Sequence, residues 1–174
     1  MSPVSPAHEP ASPLRTNQDL DPRRLRDAFG VFPSGVVAVA AEVDGTITGL
    51  AASSFTSVSV EPPLVSFSIA TTSKTWPDLR RAPHLGITVL AEHHGDVCRQ
   101  LAGPVADRFA DIAVHVSGDG AVTLDEGLAR FDCTIHREVE AGDHLVVLLA
   151  LHAVEHSVGQ PLVFHRSAFG RLAV

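Results

Sequence analysis

Apolar and polar positions change rhythm along this chain. Leu25, Ala28 and Phe29 recur at helical spacing behind Asp21-Pro22, an N-cap residue with proline at the first helical position. Gly30 and the triplet Pro33-Ser34-Gly35 close that helix. From Gly35 onward the rhythm is mainly that of strands. Residues 36–43 are rich in Val and Ala, Asp44-Gly45 supplies a hairpin turn, and Thr46–Ala52 returns. Residues 53–60 are small and rich in hydroxyls. Glu61-Pro62-Pro63 is a rigid turn into a strand at Leu64–Ala70. Thr75 is expected to cap a short helix over 76–81, closed by Pro83. A strand follows at 85–91. A helical pattern over 94–102 carries Val97, Cys98 and Leu101, and Asp119-Gly120 marks a second tight turn.

The clearest alternation comes late. Phe131, Cys133, Ile135 and Val139 face one way, while Arg130, Asp132, Thr134, His136 and Glu138 face the other; Arg137 breaks the apolar face. The run His144–His156 is nearly continuous in apolar residues. It predicts a strand buried on both faces or one covered by a partner. Residues 161–165 form a last strand. Antiparallel strands with short turns and few helices predict a closed or partly closed barrel. Residues 1–18, rich in Pro, Ser and Ala, read as a flexible tail before one domain at 19–174.

Composition narrows the function classes. At 174 residues the chain fits one domain of ~100–200. Mean hydropathy is +0.18, which excludes a wholly disordered chain. A charged fraction of 19% is low, and burial of a face in an oligomer would accommodate it. The net charge of −7, the absence of Tyr and a single Trp argue against nucleic acid as a partner. No stretch reaches the ~18 apolar residues of a membrane span, and the N-terminus lacks a signal-peptide pattern, so a soluble cytoplasmic protein is expected. Cys98 and Cys133 fit no C-x-x-C spacing and read as buried small hydrophobes.

Ten histidines raise a metal hypothesis, but H-E-x-x-H and zinc-finger spacings are absent, so no metal site is assigned. G-x-S-x-G and the phosphate-binding Walker pattern are absent too. Two segments carry more. In 49–57 (GLAASSFTS), small residues and hydroxyls let backbone N–H groups approach a planar or phosphorylated ligand. In 71–76 (TTSKTW), four hydroxyls and Lys74, the sole lysine, stand at a predicted helix N-terminus, which favours an anion. Gly142-Asp143-His144 delivers a histidine to the start of the long apolar strand.

These residues carry a family resemblance. The stretch GLAASSFTSVSVEPPLVSFSI (49–69) resembles the signature of small flavin reductases with the FMN-binding split-barrel fold, among them reductase components of two-component flavin-dependent monooxygenases. PSGVVAV (33–39), Ser73-Lys74-Thr75-Trp76, LAGPVADRF (101–109), GDH (142–144) and PLVFHRSAFGRL (161–172) match in order. The resemblance implies a mainly β fold, a six-stranded antiparallel Greek-key split β-barrel with a few short flanking helices, assembled as a homodimer. It implies that Pro33, Ser34, Gly35, Val36 and Val37 line a flavin site. Ala51, Ala52, Ser53 and Ser54 would run along the isoalloxazine edge, with Ser57 close by. Ser73, Lys74 and Thr75 would hold the phosphate or ribityl end, Arg108 and Phe109 would close the site, and His144 with Asp143 would face the nicotinamide. Ser53 stands where many members carry Asn, which bears on flavin affinity and on the choice between FMN and FAD.

The function implied is NAD(P)H-dependent reduction of free FMN or FAD, with hydride passing to flavin N5 and reduced flavin diffusing to a partner monooxygenase. NADH or NADPH would be the donor. The cofactors carry the chemistry, so the protein needs orientation and water exclusion rather than a triad. The alternative is a non-catalytic flavin- or haem-binding split-barrel protein.

Overall fold

The computed structural model describes residues 20–172; the segment read as a tail, 1–18, lies outside them. Helix α1 (Pro22–Phe29) starts as its sequence predicts. Asp21 Oδ1 accepts the N–H groups of Arg23 and Arg24 at 2.9 and 3.1 Å, and Pro22 occupies the first turn. Short β1 (Ser34–Gly35) leads into β2 (Val37–Val43), which forms a hairpin with β3 (Thr46–Ala52). Asp44 and Gly45 form that turn with φ of 52° and 76°, the left-handed pair that a tight hairpin requires. Then come β4 (Thr56–Ser59), β5 (Leu64–Ala70), α2 (Trp76–Leu79), β6 (Leu85–Val89) and α3 (Gly95–Leu101). After them follow β7 (Val114–Val116), β8 (Val122–Leu124), β9 (Ala129–Ala141), β10 (His144–His156), β11 (Val163–His165) and β12 (Ala168–Gly170).

The main sheet is antiparallel and seven-stranded, in the order β3-β2-β6-β9-β10-β5-β4. The fold is therefore mainly β with few helices, but the strand count departs from six. The hydroxyl-rich segment supplies the extra member: β4 pairs with β5 as an edge strand. Among the described residues the edges β3 and β4 share no ladder, so the sheet curls without closing. Ser54, just after β3, spans part of the gap by accepting the Ser68 N–H at 2.9 Å and donating to the Ser68 carbonyl at 3.1 Å. Two smaller sheets, β1-β11-β12 and β7-β8, flank this one.

β2 is buried on both faces, and every residue from Val36 to Ala41 is at most 3% exposed. Val37, Val39 and Ala41 enter the main core with Phe67, Leu79, Ile87, Val147 and Leu149. Val36 and Ala38 enter a second core with Leu90, Cys98, Leu101 and Leu162, under α3. β10 does not match the expectation of burial on both faces. Val147 and Leu149 are buried, but Val146, Leu148 and Ala150 are half-buried, and residues 152–156 are exposed.

The broken alternation in β9 has a local cause. Ile135 pairs with Leu149 and Arg137 with Leu148, leaving His136 as an unpaired bulge. One extra residue reverses which side chains face inward. Arg137 and Val139 therefore turn outward, and Glu138 lies opposite the buried Val147. Glu138 is stabilised there by the Trp76 indole N–H at 2.9 Å and by Arg80 at 2.5 Å. Trp76 in turn stacks edge-on against Phe67 in the core.

Candidate functional site

A cleft of about 620 Å³ opens between β3, α3 and the β11–β12 hairpin. Its floor is Val36 with Ala51, Ala52 and Ser53, four of the residues assigned to the flavin site by sequence. Only small side chains stand here at the end of edge strand β3, and Ser53 is exposed. The far wall is aromatic: Phe164 and Phe169 stand with ring centroids 5.8 Å apart. Cys98 and Arg99 of α3, with Ala102 at its C-cap, form the third wall. Arg99 is the one charged side chain among the described lining residues. Its guanidinium lies 5.0 Å from the Phe169 ring centre and 2.5 Å from Asp96. Burial pushes the Cys98 thiol up, with Arg99 opposing, so Cys98 is a neutral wall rather than a nucleophile.

Arg108 organises the region behind the floor. Its Nε donates to the Gly103 carbonyl at 3.0 Å, and Nη1 donates to the Gly49 carbonyl at 2.8 Å and to Thr75 Oγ1 at 2.9 Å. Gly49 lets β2 and Phe109 pack closely against β3, because a Cβ there would lie 2.5 Å from the Val39 carbonyl oxygen and 2.7 Å from the Phe109 ring. Phe109 packs with Ala51 against the second core.

The 71–75 loop departs from its predicted capping. Thr75 occupies the N-cap position of α2, but the capping side chain is that of Ser73, whose Oγ accepts the N–H groups of Thr75 and Trp76 at 3.3 and 3.2 Å. Thr75 is 4% exposed, and its hydroxyl faces Arg108 instead. α2 ends at Leu79 rather than Arg81. Lys74 is exposed.

The same loop meets the Gly142-Asp143-His144 turn. The Asp143 carbonyl accepts both the N–H of Thr71, at 3.0 Å, and its hydroxyl, at 3.1 Å. His144 pairs with Ala70 across the β5–β10 ladder. Its Nδ1 lies 2.7 Å from Asp143 Oδ1, and the hydrogen bond and charge of His144 hold the Asp143 carboxyl below its ordinary value. The imidazole is thereby oriented and half-exposed.

Not every sequence-assigned residue reaches the cleft. The Val37 side chain is 2% exposed and belongs to the main core, so it supports the floor from behind. Thr75, Arg108 and Phe109 also support the site from behind. The Ser54 hydroxyl is engaged with Ser68. Ser57 lies on edge strand β4, outside the cleft lining, and Pro33 is exposed before β1. Ser34 and Gly35 pair with Phe164 and Val163, which places the aromatic wall beside them. Sequence reasoning missed Arg99, Phe164 and Phe169. The terminal PLVFHRSAFGRL match is a signal for Phe164 and Phe169, and nothing in the sequence singles out Arg99.

His93, His94 and Glu126 bring potential ligand atoms within 4.8 Å of one another. However, His94 Nδ1 accepts the Ala91 N–H at 3.0 Å, which puts the ring proton of the neutral form on Nε2. The trio thus presents an N–H where a metal needs a lone pair. Burial, with His93 nearby, also holds the His94 pKa below its ordinary value. Among the described residues no helix is long and apolar enough to cross a membrane.

Comparison with known proteins accords with this geometry. The family described as "Flavin reductase like domain" matches residues 29–173. A flavin reductase of Pseudomonas putida is 35% identical over 156 residues, covering 88% of this chain and 92% of the relative. The flavin-dependent monooxygenase reductase subunit HsaB of Rhodococcus jostii is 34% identical, with 86% of this chain and 77% of that one covered. Some relatives are longer: the chain spans 50% of a probable flavin reductase of Rhizobium meliloti and 48% of the trigonelline monooxygenase reductase component of Acinetobacter baylyi. Among solved structures, the NADH:FAD oxidoreductase SgcE6 of Streptomyces globisporus, in complex with NAD and FAD fragments, superposes with a TM-score of 0.85 at 29% identity, covering 93% of this chain and 98% of that one. A sequence match across most of the chain, agreement of fold, and a small-residue cleft with an aromatic wall converge: the chain belongs to the flavin reductase-like domain family and is by class a flavin reductase.

Proposed function

We propose that this chain catalyses NAD(P)H-dependent reduction of FMN or FAD and supplies the reduced flavin to a partner monooxygenase. The observation that carries the reading is the cleft itself. Its volume of about 620 Å³ lies within the ~300–1,000 Å³ of small-molecule sites. Its walls suit a planar, largely apolar ring with a polar edge: small residues at Ala51–Ser53 on an edge strand, aromatic side chains at Phe164 and Phe169, and one cation, Arg99. Haem is less well served, because the described lining has no histidine and its cysteine is held as the thiol.

When both nucleotides are bound, the nicotinamide supplies a hydride from C4 to flavin N5. The chain's own residues bind, orient and exclude water. The β3 backbone and the Ser53 hydroxyl hydrogen-bond the ring edge. The 73–75 loop, held to β3 through Arg108, holds the phosphate end by way of Ser73 and Lys74. His144, fixed by Asp143, orients the nicotinamide and need not move a proton. The fold reads as a split barrel of the flavin-binding type, and the half-buried outer face of β10 (Val146, Leu148, Ala150) suits a homodimer interface. Reductase components among the relatives support a monooxygenase partner that receives flavin by diffusion.

The test is loss of nicotinamide absorbance with NADH or NADPH, with and without added FMN or FAD. Flavin-dependent oxidation is expected; its absence with every pairing would overturn the reading.

A further inference from the structure

The thirteen basic side chains are unevenly engaged. Arg80, Arg81, Arg99, Arg130 and Arg171 each pair with a carboxylate, and Arg108 is bound to carbonyls and Thr75. Among the described residues Arg23, Lys74 and Arg137 have no carboxylate within salt-bridge distance, and neither do Arg24, Arg26 and Arg166. The last three line one hollow of about 560 Å³ between α1 and the β11–β12 turn. Asp27 is the only acidic residue in its described lining. A chain of net charge −7 thus gathers unpaired guanidinium groups at one place.

Three observations tie this hollow to the site. Ser167 lines both the hollow and the cleft, so the two are adjacent. The turn is fastened to α1, because the Arg166 N–H donates to the Gly30 carbonyl at 2.9 Å. The charge of Arg26 is a minor contributor among those that favour the Asp143 carboxylate, so the hollow and the Asp143–His144 pair share one electrostatic neighbourhood. The turn residues Arg166 and Ser167 have φ of 47° and 61°, where Asn-Gly is the usual choice. An arginine is held there despite its Cβ.

We propose that the Arg24–Arg26–Arg166 hollow is an anion subsite that takes the phosphate-bearing end of the nicotinamide nucleotide, beside the cleft that takes the flavin ring. This rests on the reductase reading. Three guanidinium groups with open donors suit a diphosphate or a further ribose phosphate. The flavin phosphate has the separate 73–75 loop. The arginines are exposed, so each contributes modestly and in a salt-dependent way.

The experiment is calorimetric titration of the purified chain with ADP-ribose, which carries the diphosphate but no nicotinamide ring. Arg24→Gln, Arg26→Gln and Arg166→Gln should each weaken ADP-ribose binding by roughly two- to fivefold at low salt, and the triple variant more. Arg166→Lys should restore most of the Arg166→Gln loss. The Gln variants should raise the KM for NADH, and more so for NADPH, with kcat and FMN affinity held. Unchanged ADP-ribose affinity in the folded triple variant would overturn the subsite. So would a loss confined to FAD, which would assign the hollow to the flavin's own diphosphate. A chain that turns over normally while its triple variant binds ADP-ribose unaltered loses the subsite and keeps the reductase reading. Absence of turnover with arginine-dependent ADP-ribose binding does the reverse.

Discussion

Arg108 Nη1 lies 2.9 Å from Thr75 Oγ1, and through this contact one guanidinium holds the 71–75 loop against β3. Arg108→Ala should leave a buried threonine hydroxyl and the Gly49 carbonyl without their partner. That costs about 1–3 kcal/mol for each unpaired group. The denaturation midpoint should fall, and the flavin KM should rise more than kcat falls. Arg108→Lys should recover stability only in part, because one ammonium cannot reproduce the fork.

Glu138 gives a second expectation. Its carboxylate turns inward at the β9 bulge and is held by Trp76 and Arg80. Trp76→Phe removes the indole donor and part of a core side chain, and should destabilise by about 2–3 kcal/mol in urea titration. Adding Glu138→Gln should recover part of that loss, since a neutral amide tolerates a missing donor better than a carboxylate does. A double-mutant cycle measures the coupling.

The third concerns the Asp143–His144 pair. His144→Ala should raise the nicotinamide KM more than it weakens flavin binding; the opposite pattern would remove its orienting role. The Asp143 carboxyl is held below its ordinary value of 3.8 by the His144 hydrogen bond first and its charge second. A depressed carboxylate contributes stability that is present above its unfolded pKa and lost as pH falls through the folded one. As pH falls through the folded-state value of Asp143, that contribution is lost. In His144→Ala the Asp143 titration followed by NMR should return upward toward 3.8.

The cysteines provide a fourth. Burial, with Asp132 nearby, pushes the Cys133 thiol up to about 12. Thiol reagents at neutral pH should leave Cys133 unlabelled until the chain unfolds, so mass spectrometry after pulsed alkylation reads global opening. Cys98 should also label slowly, and more slowly still with flavin in the cleft it lines.

The sequence was informative where its signals were local. Leu64–Ala70 and the Asp44-Gly45 hairpin stand where alternation and turn chemistry place them. The β9 alternation was legible to Ile135 and misleading beyond it, because no residue type announces a bulge and His136 fits either phase. β12 went unseen because its turn is Arg-Ser, without the glycine or asparagine that marks left-handed positions. Thr75 reads as a cap by type, but its hydroxyl is bonded to an arginine thirty-three residues away. The floor of the cleft was legible in two short segments, Val36 in 33–39 and Ala51–Ser53 in 49–57. Arg99, Phe164 and Phe169 were not, since α3 and β11–β12 meet β3 only in three dimensions.

β2 has packed side chains on both faces, with Val37 and Val39 toward one core and Val36 and Ala38 toward the other. The strand is a party wall, and ligand preference cannot drift on its side of the cleft without disturbing the hydrophobic interior behind it. Diversification toward different flavins or nucleotides would therefore be channelled into α3 and the β11–β12 hairpin, whose outward residues carry no such obligation. Ligand occupancy should also be felt in the deep core, so that melting temperature rises with flavin concentration and serves as an affinity gauge.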